Sequence, residues 1–234
     1  MGKVDLKVDW ATHEAAKYAC ENWHYSKSIP IGKLVKIGAW ENNKFIGVVI
    51  FGRGTAKLLG SKYGLKQDQC VELVRISLTK HVSPVTKIMK FAQRYLKSSN
   101  KNIRLIVSFA SQDAGHHGGI YQGANWIYSG LTAYKGEFLY KGKRATDRQV
   151  SALVSKTKIS RGELEKRGFL TKLPTNPKYR YLMPLDADMR KQIAPLAKPY
   201  PKRVKQAMAD VQLAQRQGST DRHAPNCNNV NISA

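Results

Sequence analysis

The unit that most narrows the fold of this chain lies between Cys70 and Ala110. The stretch "CVELVRISL" alternates and runs apolar like a strand buried in a sheet. A short loop, "TKHVS", follows, and Ser83 with Pro84 reads as an N-cap and a proline at the first helical position. From there Val85, Ile88, Met89, Ala92, Tyr95 and Leu96 recur at helical spacing, which predicts an amphipathic helix over "PVTKIMKFAQRYLKSS". "NIRLIVSFA" then reads as a second buried strand. Two strands joined through a helix run parallel, so the chain is expected to be an α/β or α+β protein with a mixed central sheet flanked by helices.

Other elements gather around this unit. Thr12 is placed to cap a helix running to about Glu21, and "LVKIGAW" and "KFIGVVIFG", separated by Glu41, Asn42 and Asn43, read as a hairpin. "WIYSGLTAY" and "EFLYKG" suggest a further antiparallel pair joined near Lys135 and Gly136. Residues 145–167 read as one or two short basic helices ending at Gly168, and "KYRYLMPL" as the last strand. The expected division is a folded domain over 1–198 and a tail over 199–234, basic and then Asn- and Gln-rich, partly disordered.

Forty Lys and Arg oppose 16 Asp and Glu, a net charge of +24. Such a surplus repels itself and finds its use against a polyanion, each neutralised phosphate releasing a counterion, so nucleic acid is the first partner expected. No apolar run approaches the roughly 20 residues that span a bilayer, and no basic amphipathic helix with a bulky apolar face suggests a membrane surface. Cys20, Cys70 and Cys227 are far apart, without CxxC spacing, which fits a reducing cytosol.

The chemistry is expected in "SFASQDAGHHGGIYQGANWIYSG", residues 108–130, just past the second buried strand, because ligands of α/β sheets gather at the C-terminal ends of strands. Gly115, Gly118 and Gly119 allow a sharp turn and close backbone approach. Asp113 and His116 share one face of a turn, suited to acid-base work or, with His24 from "NWHYS", to a two-His, one-carboxylate metal site. Gln122 and Asn125 carry amides able to pair with adenine, and Tyr121 stands beside them. Trp126 and Tyr128 are assigned to the core. Arg75 lies inside a buried strand and needs a partner, either Asp113 or a bound anion. Lys27 and Lys33, flanking the His24 loop, suit phosphate contacts.

In that order, "NWHYS", "ELVRISL", the 108–130 segment and "KYRYLMPL" resemble the Mom family of phage DNA-modification proteins, over roughly Trp10 to Leu185. The element order is similar to the acyltransferase fold of the GNAT superfamily. The resemblance implies a GNAT-like enzyme in the cytoplasm of an infected bacterium, converting adenine N6 in DNA to a carbamoylmethyl derivative that host restriction enzymes no longer recognise. It places the family's polar positions on His24, Arg75, Ser108, Asp113 and Tyr121. It also implies acetyl-CoA or a related acyl-CoA, and an iron has been considered for such proteins. The loop where such a fold holds CoA, "TKHVSPVTK", has no glycine, leaving Lys80, Ser83, Thr86 and Lys87 as its candidate contacts.

Two rivals stand beside this reading. "TNPKY" echoes the Asn-Pro-Pro-Tyr motif of adenine-N6 methyltransferases, with Lys178 in place of the second proline. A non-catalytic basic nucleic-acid-binding protein would need the charge alone.

Overall fold

The structure, a computed structural model, describes residues 4–53, 59–133, 136–174 and 176–202, with the backbone alone at 144, 146 and 148. Cys227, Lys135 and the tail beyond Lys202 lie outside the described residues. Residues up to Pro201 form one compact unit.

The centre is a seven-stranded sheet of β1 (Leu6–Trp10), β2 (Leu34–Glu41), β3 (Lys44–Gly52), β4 (Cys70–Leu78), β5 (Leu105–Ala110), β6 (Ile127–Leu131) and β10 (Tyr179–Pro184), in the order β1-β2-β3-β4-β5-β10-β6. Only β4 and β5 are parallel; every other pair is antiparallel. Both faces are covered, which is why its central strands are apolar at nearly every position. On one face α2 (Val85–Ser99) buries Ile88, Met89, Ala92 and Leu96 against Ile37, Val49, Phe51, Leu73 and Ile106. On the other, α1 (His13–Trp23) sets Ala16, Ala19 and Cys20 on Val48 and Ile50. On that side too, Met189 and Ile193 of α6 (Ala187–Ile193) meet Leu105, Val107 and Leu182.

The expected crossover is present as β4, α2, β5, and Thr12 caps α1 by accepting from the Ala15 N–H at 3.1 Å. The β2-β3 hairpin turns on Asn42 and Asn43, both left-handed (φ 48 and 64), the conformation a two-residue primed turn demands. Glu41 belongs to the strand.

Two expectations need correction. Ser83 is not the N-cap of α2: Pro84 holds that position, without a capping side chain, and Ser83 precedes it with its N–H bound to the Glu41 carboxylate. Nor do "WIYSGLTAY" and "EFLYKG" pair. The first contributes β6 to the main sheet. The second is β7 (Glu137–Tyr140), centre of a separate three-stranded sheet with β8 (Lys143–Thr146) and β9 (Leu170–Leu173). Lys141 and Gly142, both left-handed, make a tight turn that gives β7 its nearest partner in β8. With α4 (Asp147–Thr157) and α5 (Arg161–Lys166), this sheet closes a small core of Phe138, Val150, Leu164 and Leu170.

Candidate active site

The site begins with a defect in strand pairing. β4 and β5 pair from Cys70 opposite Leu105 to Leu73 opposite Ser108, and there the ladder stops. Against β3, Ile50 faces Arg75 while Phe51 faces Leu73, so Val74 is an extra residue. Such a bulge bends a strand and re-aims the side chain after it. The two parallel strands therefore part at Leu73 and Ser108, and Arg75 lies just beyond the fork.

Ser108 and Tyr121 close the base of the fork. The Ser108 hydroxyl, buried, lies 2.9 Å from the Leu73 carbonyl and 2.8 Å from the Tyr121 hydroxyl. A carbonyl only accepts, so the serine proton goes to Leu73 and the phenol donates to Ser108. Burial pushes the Tyr121 phenol up to about 12, with the Glu72 carboxylate and the Tyr25 ring also acting on it. The phenol is thus a proton holder at neutral pH.

The glycine-rich turn packs beneath. Gly115 N–H closes onto the Gln112 carbonyl at 2.8 Å and His116 N–H onto the Ser111 carbonyl at 3.0 Å, with Gly115 left-handed (φ 70). Gly118 (φ 87) lies against the fully buried Tyr181, where an added Cβ would stand 2.2 Å from the ring. Tyr181 donates to the His117 carbonyl at 2.5 Å and stacks on Tyr121, ring centres 5.0 Å apart. The "GHHGG" run is therefore shaped to seat Tyr181 under Tyr121.

The rim is aromatic and basic. The Tyr25 ring lies 4.2 Å from His24 and 5.4 Å from His116, centre to centre, and is exposed. Burial, then Arg75, then His116 depress the His24 imidazole to about 4, so it is neutral at physiological pH. Its Nδ1 accepts the Ser26 N–H at 3.1 Å and lies 2.8 Å from the Ser26 hydroxyl, which leaves the single ring proton on Nε2. His24 thus offers a donor, not a base. Burial also lowers His116, with His117 adding to it. Arg75 gives one guanidinium N–H to the Val74 carbonyl at 3.1 Å, and its Nε is buried without a protein partner, an electropositive donor facing no acceptor.

Of the expected site residues, the fold gathers His24, Arg75, Ser108, His116 and Tyr121, and adds Tyr25, Glu72 and Tyr181. Others are used elsewhere. Asp113 does not meet Arg75: its carboxylate accepts from Asn176, from the backbone N–H at 3.1 Å and from Nδ2 at 2.8 Å. With Asp113 turned to Asn176, the His24, Asp113 and His116 set forms no metal centre, and no group of three His, Cys, Asp or Glu able to hold a metal occurs among the described residues. Gln122 spends its amide on Tyr181, at 3.1 Å, and on the His117 and Pro201 carbonyls. Asn125 is exposed and left-handed (φ 56) where α3 (Gly119–Gln122) ends, a backbone role that accounts for it. Lys27 caps the end of α1 through the Asn22 carbonyl at 3.0 Å, and Lys33 is exposed. Asn176 and Pro177, the core of the methyltransferase-like motif, serve as partners of Asp113 and Gln112.

The four candidate CoA contacts lie around a loop whose amides are already engaged. The Val82 and Ser83 amides bind the buried Glu41 carboxylate, Val82 at 3.0 Å. Burial works against ionising Glu41, yet the Val82 and Ser83 hydrogen bonds outweigh it and hold the carboxyl below its ordinary range. Lys80 and Lys87 stay exposed and Thr86 half-buried. An acyl-CoA would have to be met there by side chains.

FeeM, an N-acyl amino acid synthase from uncultured soil microbes, is similar at 12% identity and a TM-score of 0.44, over 82% of this chain and 96% of that one. A Bacillus subtilis acetyltransferase in complex with CoA is similar at 12% identity and a TM-score of 0.41, over 78% and 99%. Likenesses this distant carry nothing about donor or acceptor. No curated protein matches the chain in sequence. The model of the Mom protein family matches residues 5–202. That span takes in every strand and helix described above, from β1 to α6, and on this ground the chain belongs to the Mom protein family.

Proposed function

We propose that the chain is a transferase that modifies adenine at N6 in double-stranded DNA, forming the carbamoylmethyl derivative, and so shields phage DNA from restriction in the cytoplasm of an infected bacterium. Membership of the Mom family is the observation that carries this reading; the charge of +24 supports a polyanionic substrate. N6 is hydrogen-bonded inside a duplex, so the base must leave the stack, and the exposed Tyr25 ring between His24 and His116 offers a face for it. N6 is a poor nucleophile. In acyl transfer its lone pair bonds to the donor's carbonyl carbon, negative charge grows on the carbonyl oxygen, the bond to the leaving group breaks and the amine proton passes to solvent. The product is an N6-amide, and the carbamoylmethyl group, joined to N6 through CH2, needs a later isomerisation of the glycyl adduct. The Nε2–H of neutral His24 and the Arg75 guanidinium are the donors at the fork that would stabilise that oxygen. Tyr121, its proton held on the phenol, supplies a hydrogen bond and can return a proton to the leaving group. An activated acyl carrier such as an acyl-CoA is the donor this reading calls for; its phosphates would meet Lys80 and Lys87, since Glu41 already holds the loop amides.

The test is mass spectrometry of nucleosides from plasmid DNA in cells expressing the chain. A heavier deoxyadenosine is expected with the wild type, reduced at least about 100-fold by Tyr121→Phe or Arg75→Ala, the lower end of what a positioned acid or charge stabiliser contributes. A glycyl amide and a carbamoylmethyl amine are isomers, so retention against synthetic standards must separate them. Unmodified deoxyadenosine with soluble, DNA-retaining protein would leave the non-catalytic binding reading in its place.

A further inference from the structure

In the central sheet, β6 and β10 are antiparallel neighbours, a pair that a hairpin of roughly two to five residues could join. Instead residues 132–178 intervene and fold into a layer with its own sheet and core. Its stems lie side by side: Thr132 N–H donates to the Lys178 carbonyl at 2.9 Å, and Lys178 N–H to the Thr132 hydroxyl at 3.0 Å. They spring from the sheet end that carries the site, since Tyr179 pairs with both Leu131 and Ala110, the last residue before the turn at 111–118.

From β7 to β9 this layer holds ten Lys and Arg against four Asp and Glu, although its small core uses none of them. Arg161 and Arg167 are bound to Asp147 and Glu163, at 2.7 Å each. Three of the six lysines, Lys141, Lys143 and Lys166, lie in or beside two turns that meet, the β7-β8 turn and the turn between α5 and β9. There Lys141 N–H binds the Phe169 carbonyl at 2.9 Å, and Lys141 Nζ lies 5.1 Å from the centre of the Phe169 ring. Lys143 and Lys166 flank this contact, both exposed, and Phe169 is itself 42% exposed. A corner of lysines around an uncovered aromatic ring suits a ridged polyanion: ammonium groups on phosphates, the ring against sugar or groove.

We infer that this inserted layer grips the phosphate backbone of duplex DNA beside the target adenine, an inference that rests on the proposed DNA substrate. The bond from Asn176 to Asp113, with that from Gln112 to Pro177, ties the grip to the turn bearing His116. Asp113 is then a positioning residue that sets the site turn relative to the gripped duplex.

Two full-length variants test this by fluorescence anisotropy on a DNA duplex across a range of salt. Lys141→Ala, Lys143→Ala and Lys166→Ala are combined in one; Lys44→Ala, Lys90→Ala and Lys101→Ala, exposed lysines outside the layer, form a charge-matched control. The first is expected to bind at least tenfold more weakly at low salt and to lose about 2–3 units from the slope of log K against log salt, about 0.9 per lost phosphate contact. The control should change the slope by less than about one unit. Equal loss in both variants, or a wild type that prefers an RNA duplex of the same sequence, overturns the inference. Nucleoside mass spectrometry separates it from the reaction: a wild type that modifies no adenine sinks the proposed chemistry, while the anisotropy difference still decides the grip.

Discussion

Replacing Gly118 with alanine tests the packing beneath the site. At φ +87 an L side chain costs roughly 1–2 kcal/mol. The added methyl would also stand 2.2, 2.4 and 2.6 Å from Cε2, Cζ and Oη of Tyr181. That ring cannot step aside cheaply, being wholly buried, stacked on Tyr121 and tethered through its hydroxyl to the His117 carbonyl. Overpacking of this kind costs about 1–3 kcal/mol, so Gly118→Ala should lose about 2–5 kcal/mol. Gly115→Ala is the internal control: it lies three residues away, is left-handed at φ +70, and has nothing within 4 Å of its Cβ position. It should lose only the backbone share, roughly 1–2 kcal/mol. In a chain of this size each kcal/mol moves the melting temperature by about 2–4 °C, so calorimetry resolves the two. Equal melting temperatures would refute the claim that Gly118 is needed to make room for Tyr181. Because Tyr181 supports Tyr121, Gly118→Ala should also depress adenine modification in cells below the level of Gly115→Ala.

Two predictions concern pH. His24 titrates near 4 when folded against 6.5 in the unfolded chain, so between those values only the unfolded state takes up the proton and stability rises with pH. The contribution is complete above about 6.5 and lost as pH falls through 4; halved for solvent screening at this half-exposed ring, it amounts to roughly 1–2 kcal/mol. Urea unfolding at pH 5 and 7.5 should show that difference in the wild type and a smaller one in His24→Gln. The Glu41 carboxyl is also depressed, so its support of the α2 entry is present above its ordinary 4.5 and lost at lower pH. Glu41→Gln should cost about 1.5–3 kcal/mol at pH 7, the worth of charged hydrogen bonds, and less in acid; an unchanged urea midpoint at pH 7 would count against the contact.

The crossover, the first hairpin and the Thr12 cap were legible because each is written in consecutive residues: a period near 3.6, two asparagines, a hydroxyl before a helix. The hold of Glu41 on Val82 and Ser83 was not, for it joins residues about forty apart and has no local signature. The bulge at Val74 was equally silent, since an alternating strand reads the same with or without an extra residue. The partner of Asp113 was hidden for a related reason. A carboxylate beside two histidines suggests acid-base chemistry, and its partner, Asn176, lies at the far end of an insertion whose sheet the sequence did not reveal. The contact between Ser108 and Tyr121 came within reach only through the family resemblance, which named both residues without saying that they touch.

The short run of pairing between β4 and β5 also has a mechanical consequence. Only four residue pairs, Cys70 with Leu105 through Leu73 with Ser108, stitch the β1-β4 half of the sheet to the β5-β10-β6 half, so the sheet is two plates sharing a brief seam. A second fastening is α2, whose buried side chains share one cluster with residues of both plates, Ile37 and Phe51 of one and Ile106 and Tyr181 of the other. A load that draws the plates apart falls first on this short ladder and on the Ser108 bond to Leu73 that closes the fork, while α2 on one face and the packing of Leu59, Tyr63 and Leu65 against Leu105, Leu182, Met189 and Ile193 on the other share it.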